Sequence, residues 1–213
     1  MNFIKKSAVI SLGAVLGLTL AIVSTSNRLI LTRNFFAENG QHLAALPGQD
    51  MLLFAGLQKW IYVLTALYLL FKLCLISLIL YTALYIADHL LSYWHILLIV
   101  SLCEGIFLVA AAVKMWWFHY YYPHGTLLQW HQLYILSSLS LFPAIPAAWY
   151  YPLQTLNAFE VAYWFLLAFG VYRFSGLDYR TSFKIILLSY LPALFIWTVV
   201  VCFCTIMYFP GQG

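Results

Sequence analysis

Residues 62–87 read YVLTALYLLFKLCLISLILYTALYIA, and Lys72 is the only charged side chain among them. The next apolar stretch, residues 93–113, also carries one charge, Glu104. A helix needs about 20 mostly apolar residues to cross the hydrocarbon core of a bilayer, and both stretches meet that length. They therefore predict two membrane-spanning helices joined by the short polar connection 88–92.

Further apolar stretches lie on both sides of this pair. The sequence as a whole predicts six spans: residues 7–27, 62–87, 93–113, 129–149, 157–172 and 185–208. Pro143 and Pro146 lie near the end of the fourth stretch and predict a kink or a helix end there. The predicted fold class is all-α, a polytopic transmembrane helical bundle of five helices plus one N-terminal helix.

The composition excludes several classes of protein. Apolar residues make up 65% of the chain and charged residues 8%, and the mean hydropathy is +0.92. A soluble domain carries about a quarter charged residues, so a soluble enzyme and a disordered chain are excluded. The net charge is only +4 and the basic residues are scattered, which argues against a nucleic-acid partner. Membrane lipid is the expected surrounding.

The N-terminal apolar stretch has two interpretations. Lys5 and Lys6 precede it and small residues, 24–26, follow it, which fits an uncleaved helix or a signal peptide with its cleavage site. We expect the helix and keep the signal peptide as the alternative. The predicted organisation is this helix at 1–27, a polar connection and interfacial segment at 28–59, a five-helix membrane domain at 60–208 and a short tail at 209–213.

The distribution of basic residues favours cytoplasmic connections after the first, third and fifth predicted helices, because basic residues accumulate on the cytoplasmic side. Lys5 and Lys6 would then lie outside, against the usual rule for a first helix. The orientation of that helix therefore stays open. The basic residues of the three connections are Arg28, Arg33, Lys59, Lys114, Arg173, Arg180 and Lys184.

Two stretches resemble the Yip1 family, a five-helix integral membrane domain. Residues 152–164, PLQTLNAFEVAYW, resemble the entry to that family's fourth helix. Residues 170–184, GVYRFSGLDYRTSFK, resemble its short cytoplasmic turn before the last helix. The resemblance covers roughly residues 60–208 and extends to small membrane proteins of Bacteroidetes.

The resemblance implies a five-helix fold with its C-terminus outside, in a bacterial inner (plasma) membrane. It further implies a non-enzymatic role in membrane organisation or trafficking. Because the sequence also lacks catalytic patterns and long soluble regions, we expect a non-enzymatic integral membrane protein: a scaffold, a membrane-organising protein or an accessory subunit of a membrane assembly. The implied partners are other membrane proteins, or the protein itself as an oligomer.

Lys72 and Glu104 are the candidate site residues. A charge at the bilayer centre costs about 2.5–3.5 kcal/mol, so such residues usually find a partner. The two lie at similar distances from the turn near Leu90, with an offset of about 6 Å along a helix axis, which a lysine side chain covers. We predict an intramembrane charge pair. It is either structural, with Lys72 fixing helix register or reaching the interface, or the coupling pair of a small transporter or ion/proton-coupled channel element.

Other chemistry has weaker signals. His119, His124 and His131 lie near one predicted membrane face, where a metal or haem site of a membrane-embedded enzyme is conceivable. No two of them are spaced three or four apart on one helix, and nucleophile-elbow and phosphate-loop patterns are missing from the sequence. The expectation is therefore no catalytic residue, no metal and no cofactor. Glu160 lies close to the start of its predicted span, and we expect it at the interface.

Overall fold

α-Helices make up most of the computed structural model, which describes residues 2–32, 50–89, 91–123, 125–126, 129–130, 133–142 and 147–208. A 3-10 helix, Ser138–Leu141, lies between the fourth and fifth of them, and the predicted all-α fold class is confirmed. The α-helices in the described ranges are α1 (Asn2–Leu29), α2 (Asp50–Ile86), α3 (Tyr93–Cys103), α4 (Gly105–Tyr121), α5 (Ala147–Thr155), α6 (Ala158–Ser175) and α7 (Tyr179–Tyr208).

Four helical stretches in the described ranges are long and apolar enough to cross a membrane. They are Phe3–Leu29, Trp60–Ile86, Tyr93–Tyr121 and Tyr179–Met207. The third joins α3 and α4 into one span. These four coincide with the first, second, third and sixth predicted spans, so the chain is a polytopic membrane protein.

The outer faces of these helices are apolar. Leu64 and Phe71 on α2, and Leu188, Phe195 and Phe203 on α7, are each more than half exposed. Soluble monomers rarely leave apolar patches larger than a few hundred Å² in contact with water. Hydrocarbon is therefore the solvent that matches this surface.

The prediction of one helix over residues 129–149 is wrong. In the described part of that range, a turn leads into the 3-10 helix, and α5 begins only at Ala147. Pro143 and Pro146, which predicted a break, lie outside the described residues. The described ranges therefore contain four candidate spans where the sequence predicted six.

Two hydrogen bonds outside the helical pattern account for the break within residues 129–149. Ser137 Oγ donates to the carbonyl oxygen of Tyr134 at 2.9 Å, and such local bonds compete with helical hydrogen bonding. The backbone N–H of Ser138 donates to the carbonyl oxygen of Leu156 at 2.9 Å instead of to a helical neighbour. This bond ties the segment to the residues just before α6.

α6 corresponds to the fifth predicted span but falls outside the four candidates. Its 18 residues extend about 27 Å, slightly less than the bilayer core, and they include Glu160 and Arg173. α6 ends at Gly176, whose φ of 74° is the left-handed conformation that glycine adopts without steric cost. The chain then reverses into α7, and the two helices pack as a hairpin.

α3 lies at the centre of the bundle, where it contacts α1, α2 and α6, while α7 packs on α2, α5 and α6. Gly170 on α6 lies directly against Ile99 on α3, so that any Cβ at this position would collide with the isoleucine side chain. A residue without a side chain thus allows the close helix approach that membrane bundles use. Other fully buried core side chains are Leu73, Leu80, Ile96, Val100, Tyr163, Leu167, Val171 and Ile186.

Candidate functional site: a polar cluster between the spans

The structure brings the two predicted site residues together. Lys72 Nζ, from the middle of α2, lies 2.6 Å from Glu104 Oε1, at the junction of α3 and α4. The ammonium also lies 4.2 Å from the centroid of the Phe107 ring, close enough for a cation–π interaction. The side chain of Glu104 is 6% exposed and that of Lys72 is 24% exposed, so the carboxylate is the more deeply buried partner.

The junction at Glu104 is a local tightening of one continuous span. Glu104 has right-handed helical backbone angles, φ −57° and ψ −22°, and its N–H donates to the carbonyl oxygen of Val100. The N–H of Phe107 donates to the carbonyl oxygen of Glu104 at 3.0 Å, a three-residue separation typical of 3-10 geometry. A short stretch of such geometry inside a helix often marks a functional hinge.

The pair is incompletely satisfied. Glu104 Oε2 is buried and has no hydrogen-bond partner within the described ranges, and the same holds for the Tyr163 hydroxyl. Most buried polar atoms in proteins have a partner, and an unpaired one costs about 1–3 kcal/mol. The hydroxyls of Ser77 and Ser101 are likewise buried without a partner among the described residues, and Glu104 Oε2 is the one carboxylate oxygen in this group.

A second carboxylate, Glu160 on α6, is buried on the same side of the bundle. Its Oε1 accepts hydrogen bonds from Trp164 Nε1 at 3.0 Å and from the Tyr190 hydroxyl at 2.7 Å. Asn157 caps α6 by accepting from the Glu160 N–H at 2.8 Å, which fixes the first turn of the helix.

The interfacial position expected for Glu160 does not account for this burial. Glu160 is 6% exposed, and its partner Tyr190 is 4% exposed near the middle of α7. The available sequence signal was the i, i+4 spacing of Glu160 and Trp164, since residues with that spacing share one helix face. Nothing in the apolar sequence of α7 distinguished Tyr190 from its other aromatic residues.

Lys72 and Glu160 line one cavity of about 430 Å³, which lies between α2, α4, α5, α6 and α7. Small-molecule sites in proteins span about 300–1,000 Å³ and combine apolar walls with a few polar groups. One further polar contact crosses the cavity wall, where Trp197 Nε1 donates to the Tyr151 hydroxyl at 2.8 Å. Aromatic side chains form much of the wall: Tyr68, Phe71, Phe107, Tyr151, Tyr190 and Trp197.

Of the three candidate histidines, only His119 lies within the described residues. His119 is exposed in the last turn of α4, and His124 and His131 lie outside the described residues. Among the residues that were described, no three His, Cys, Asp or Glu side chains lie close enough to hold a metal ion.

No family model, curated protein or solved structure matches the chain. The resemblance to the Yip1 family therefore stays an interpretation of the sequence pattern. The findings support a multi-helix membrane protein with four candidate spans and a polar cluster between them.

Proposed function

We propose that this protein is a small proton-coupled transport element, with Lys72 and Glu104 as its coupling pair and the adjoining cavity as its substrate site. One observation carries the proposal: an ion pair within two membrane spans has its lysine in the wall of a cavity large enough for a small molecule. Ionisable groups inside a membrane bundle are costly and commonly mark ion or substrate pathways.

A purely structural pair is the alternative that the geometry disfavours. Apolar residues can often replace a buried ion pair with no loss of stability, so the pair alone is weak evidence for a stabilising role. Glu104 Oε2, which has no hydrogen-bond partner among the described residues, makes the arrangement less favourable still. The same oxygen is a free acceptor for a proton.

The proposed coupling follows from this geometry. A proton on Glu104 neutralises the carboxylate and weakens its attraction for Lys72. The lysine, already partly exposed to the cavity, then gains freedom to rotate. The tightened turn between Glu104 and Phe107 lies where α3 meets α4, so a change in the pair acts directly on the one irregular point of that span.

Proton flux into proteoliposomes tests the proposal. The purified full chain is reconstituted with a trapped pH-sensitive dye, charge movement is balanced by potassium and valinomycin, and an external acid pulse is applied. We expect acidification faster than in protein-free liposomes, and at least a tenfold slower protein-dependent rate in Lys72→Met and Glu104→Gln. Lys184→Met is the matched control, because it removes an exposed lysine near the start of α7.

Two results would contradict the coupling role. One is a wild-type rate equal to that of empty liposomes, which is also what the scaffold implied by the Yip1 resemblance predicts. The other is a rate that Lys72→Met and Glu104→Gln leave unchanged. Circular dichroism and size-exclusion profiles of each variant establish that it is folded before its flux is compared.

A further inference from the structure

The cavity of about 430 Å³ between the helices carries an excess of negative charge. Lys72 and Glu160 line it, and Glu104 is the ion-pair partner of Lys72 behind the wall. Lys72 is paired with Glu104 at 2.6 Å, and among the described residues Glu160 forms no ion pair of its own. Its contacts in the described residues are two neutral donors, Trp164 and Tyr190. With all three groups ionised, the site has a net charge of −1, which a single monovalent cation would cancel.

The two donors to Glu160 offset part of the cost of burying its charge. An indole N–H and a phenol O–H both point at Oε1, and hydrogen bonds donated to a carboxylate stabilise the ion over the acid. Neither donor supplies the missing positive charge.

The wall of the cavity selects among cations. Aromatic faces attract cations through their quadrupole, and aromatic cages are a common way to bind quaternary ammonium groups. Tyr68, Phe71, Tyr151, Tyr190 and Trp197 line this cavity together with aliphatic residues of α2 and α7. A strongly hydrated inorganic ion would gain little from such walls, whereas an organic cation gains both apolar burial and cation–π contact.

We propose that the cavity binds a hydrophobic monovalent organic cation, with Glu160 as its counter-charge and the aromatic side chains as its walls. The inference rests on the proposed transport function and names the substrate class of the same site. Lys72 does not oppose it, because Glu104 holds the ammonium beside Phe107.

Equilibrium dialysis tests the proposal by measuring how tetraphenylphosphonium binds to the purified full chain in detergent. Tetraphenylborate has the same shape and the opposite charge, so it controls for partition into the micelle. We expect saturable binding of the cation, at least tenfold weaker binding of the anion, and at least a tenfold loss of cation affinity in Glu160→Gln. Asp88→Asn is the matched control, because it removes one exposed carboxylate from a turn whose φ of 58° suits asparagine.

Equal affinities for the two probes in the wild-type protein would overturn the proposal without any variant, so a poorly folded Glu160→Gln protein leaves it testable. Unchanged cation affinity in a folded Glu160→Gln protein would also overturn it. Proton flux that depends on Lys72 and Glu104, without selective cation binding, refutes only the substrate class. Selective cation binding without proton flux refutes only the transport function.

Discussion

Removal of either member of the Lys72–Glu104 pair is expected to destabilise the protein, and by unequal amounts. Breaking a buried ion pair costs about 3–5 kcal/mol, because the remaining charge is left without compensation. In Lys72→Met the remaining charge is Glu104, whose side chain is 6% exposed, so we expect about 3 kcal/mol. In Glu104→Gln the remaining charge is Lys72, which is 24% exposed and lines the cavity, so we expect about half of that loss.

The double variant Lys72→Met/Glu104→Gln separates the pair from other effects of substitution. It leaves no buried charge, and we expect a stability within about 1 kcal/mol of the wild type, because apolar or neutral replacements of a buried pair are often tolerated. The two single losses, about 3 and about 1.5 kcal/mol, then sum to more than the double loss, with a coupling energy of about 3.5–4.5 kcal/mol, at or above the upper end of the values usual for contacting residues.

Reversible unfolding in mixed micelles, by titration of a denaturing detergent and read by circular dichroism, gives the four free energies of unfolding. Single-variant losses that add within about 0.5 kcal/mol to the double loss would show that the two side chains do not interact. A larger loss in Glu104→Gln than in Lys72→Met would refute the burial argument even if the coupling were present.

Two further predictions concern other parts of the bundle. Gly170→Ala places a methyl group against Ile99 and is expected to lower the free energy of unfolding by about 1–3 kcal/mol. The control is Gly13→Ala, which should have little effect because a Cβ there meets open space. Equal effects of the two substitutions in the same unfolding assay would refute the close approach of α6 to α3. Hydrogen bonds from the Thr181 side chain and N–H hold the pKa of Asp178 below its usual value. The stability that this carboxylate gives to the start of α7 is therefore present above its unfolded-state pKa. It is lost as the pH falls through the lower folded-state pKa. The Asp178→Ala protein should therefore unfold more readily than the wild type at neutral pH, and the difference should shrink on acidification; a difference that is constant with pH would contradict the capping role.

The contact between Lys72 and Glu104 was accessible from the sequence because the connection between their helices is short. α2 ends at Ile86 and α3 begins at Tyr93, so the two helices run antiparallel from a fixed point, and distance from that point gives the depth of each residue. A lone charge in each of the two adjacent apolar stretches 62–87 and 93–113 then leaves few alternative partners.

The contact between Glu160 and Tyr190 was not accessible in the same way. Tyr190 lies in a long helix that is apolar on all sides, so no amphipathic pattern indicates which of its faces turns inward. In a soluble protein a polar face would have fixed that rotation. Here it depends on the packing of α7 against α2, α5 and α6, which involves residues distant in the sequence.

The error over residues 129–149 has a different cause. Average hydropathy measures whether a segment is apolar enough to enter a bilayer, and this segment is. It does not measure which partners the backbone groups find. The Tyr134 carbonyl oxygen accepts from the Ser137 hydroxyl, and the Ser138 N–H donates to the Leu156 carbonyl oxygen. Backbone groups in hydrocarbon need internal partners, so such a segment is tolerated where protein surrounds it or where it leaves the membrane.

Two buried carboxylates and one lysine give the site a property that the Lys72–Glu104 pair alone does not have. A proton and an organic cation would each reduce the same excess of negative charge, so binding of one lowers the affinity for the other. Such coupling is reciprocal for equilibrium binding: if acid weakens the binding of the cation, the cation must weaken the binding of the proton by the same factor.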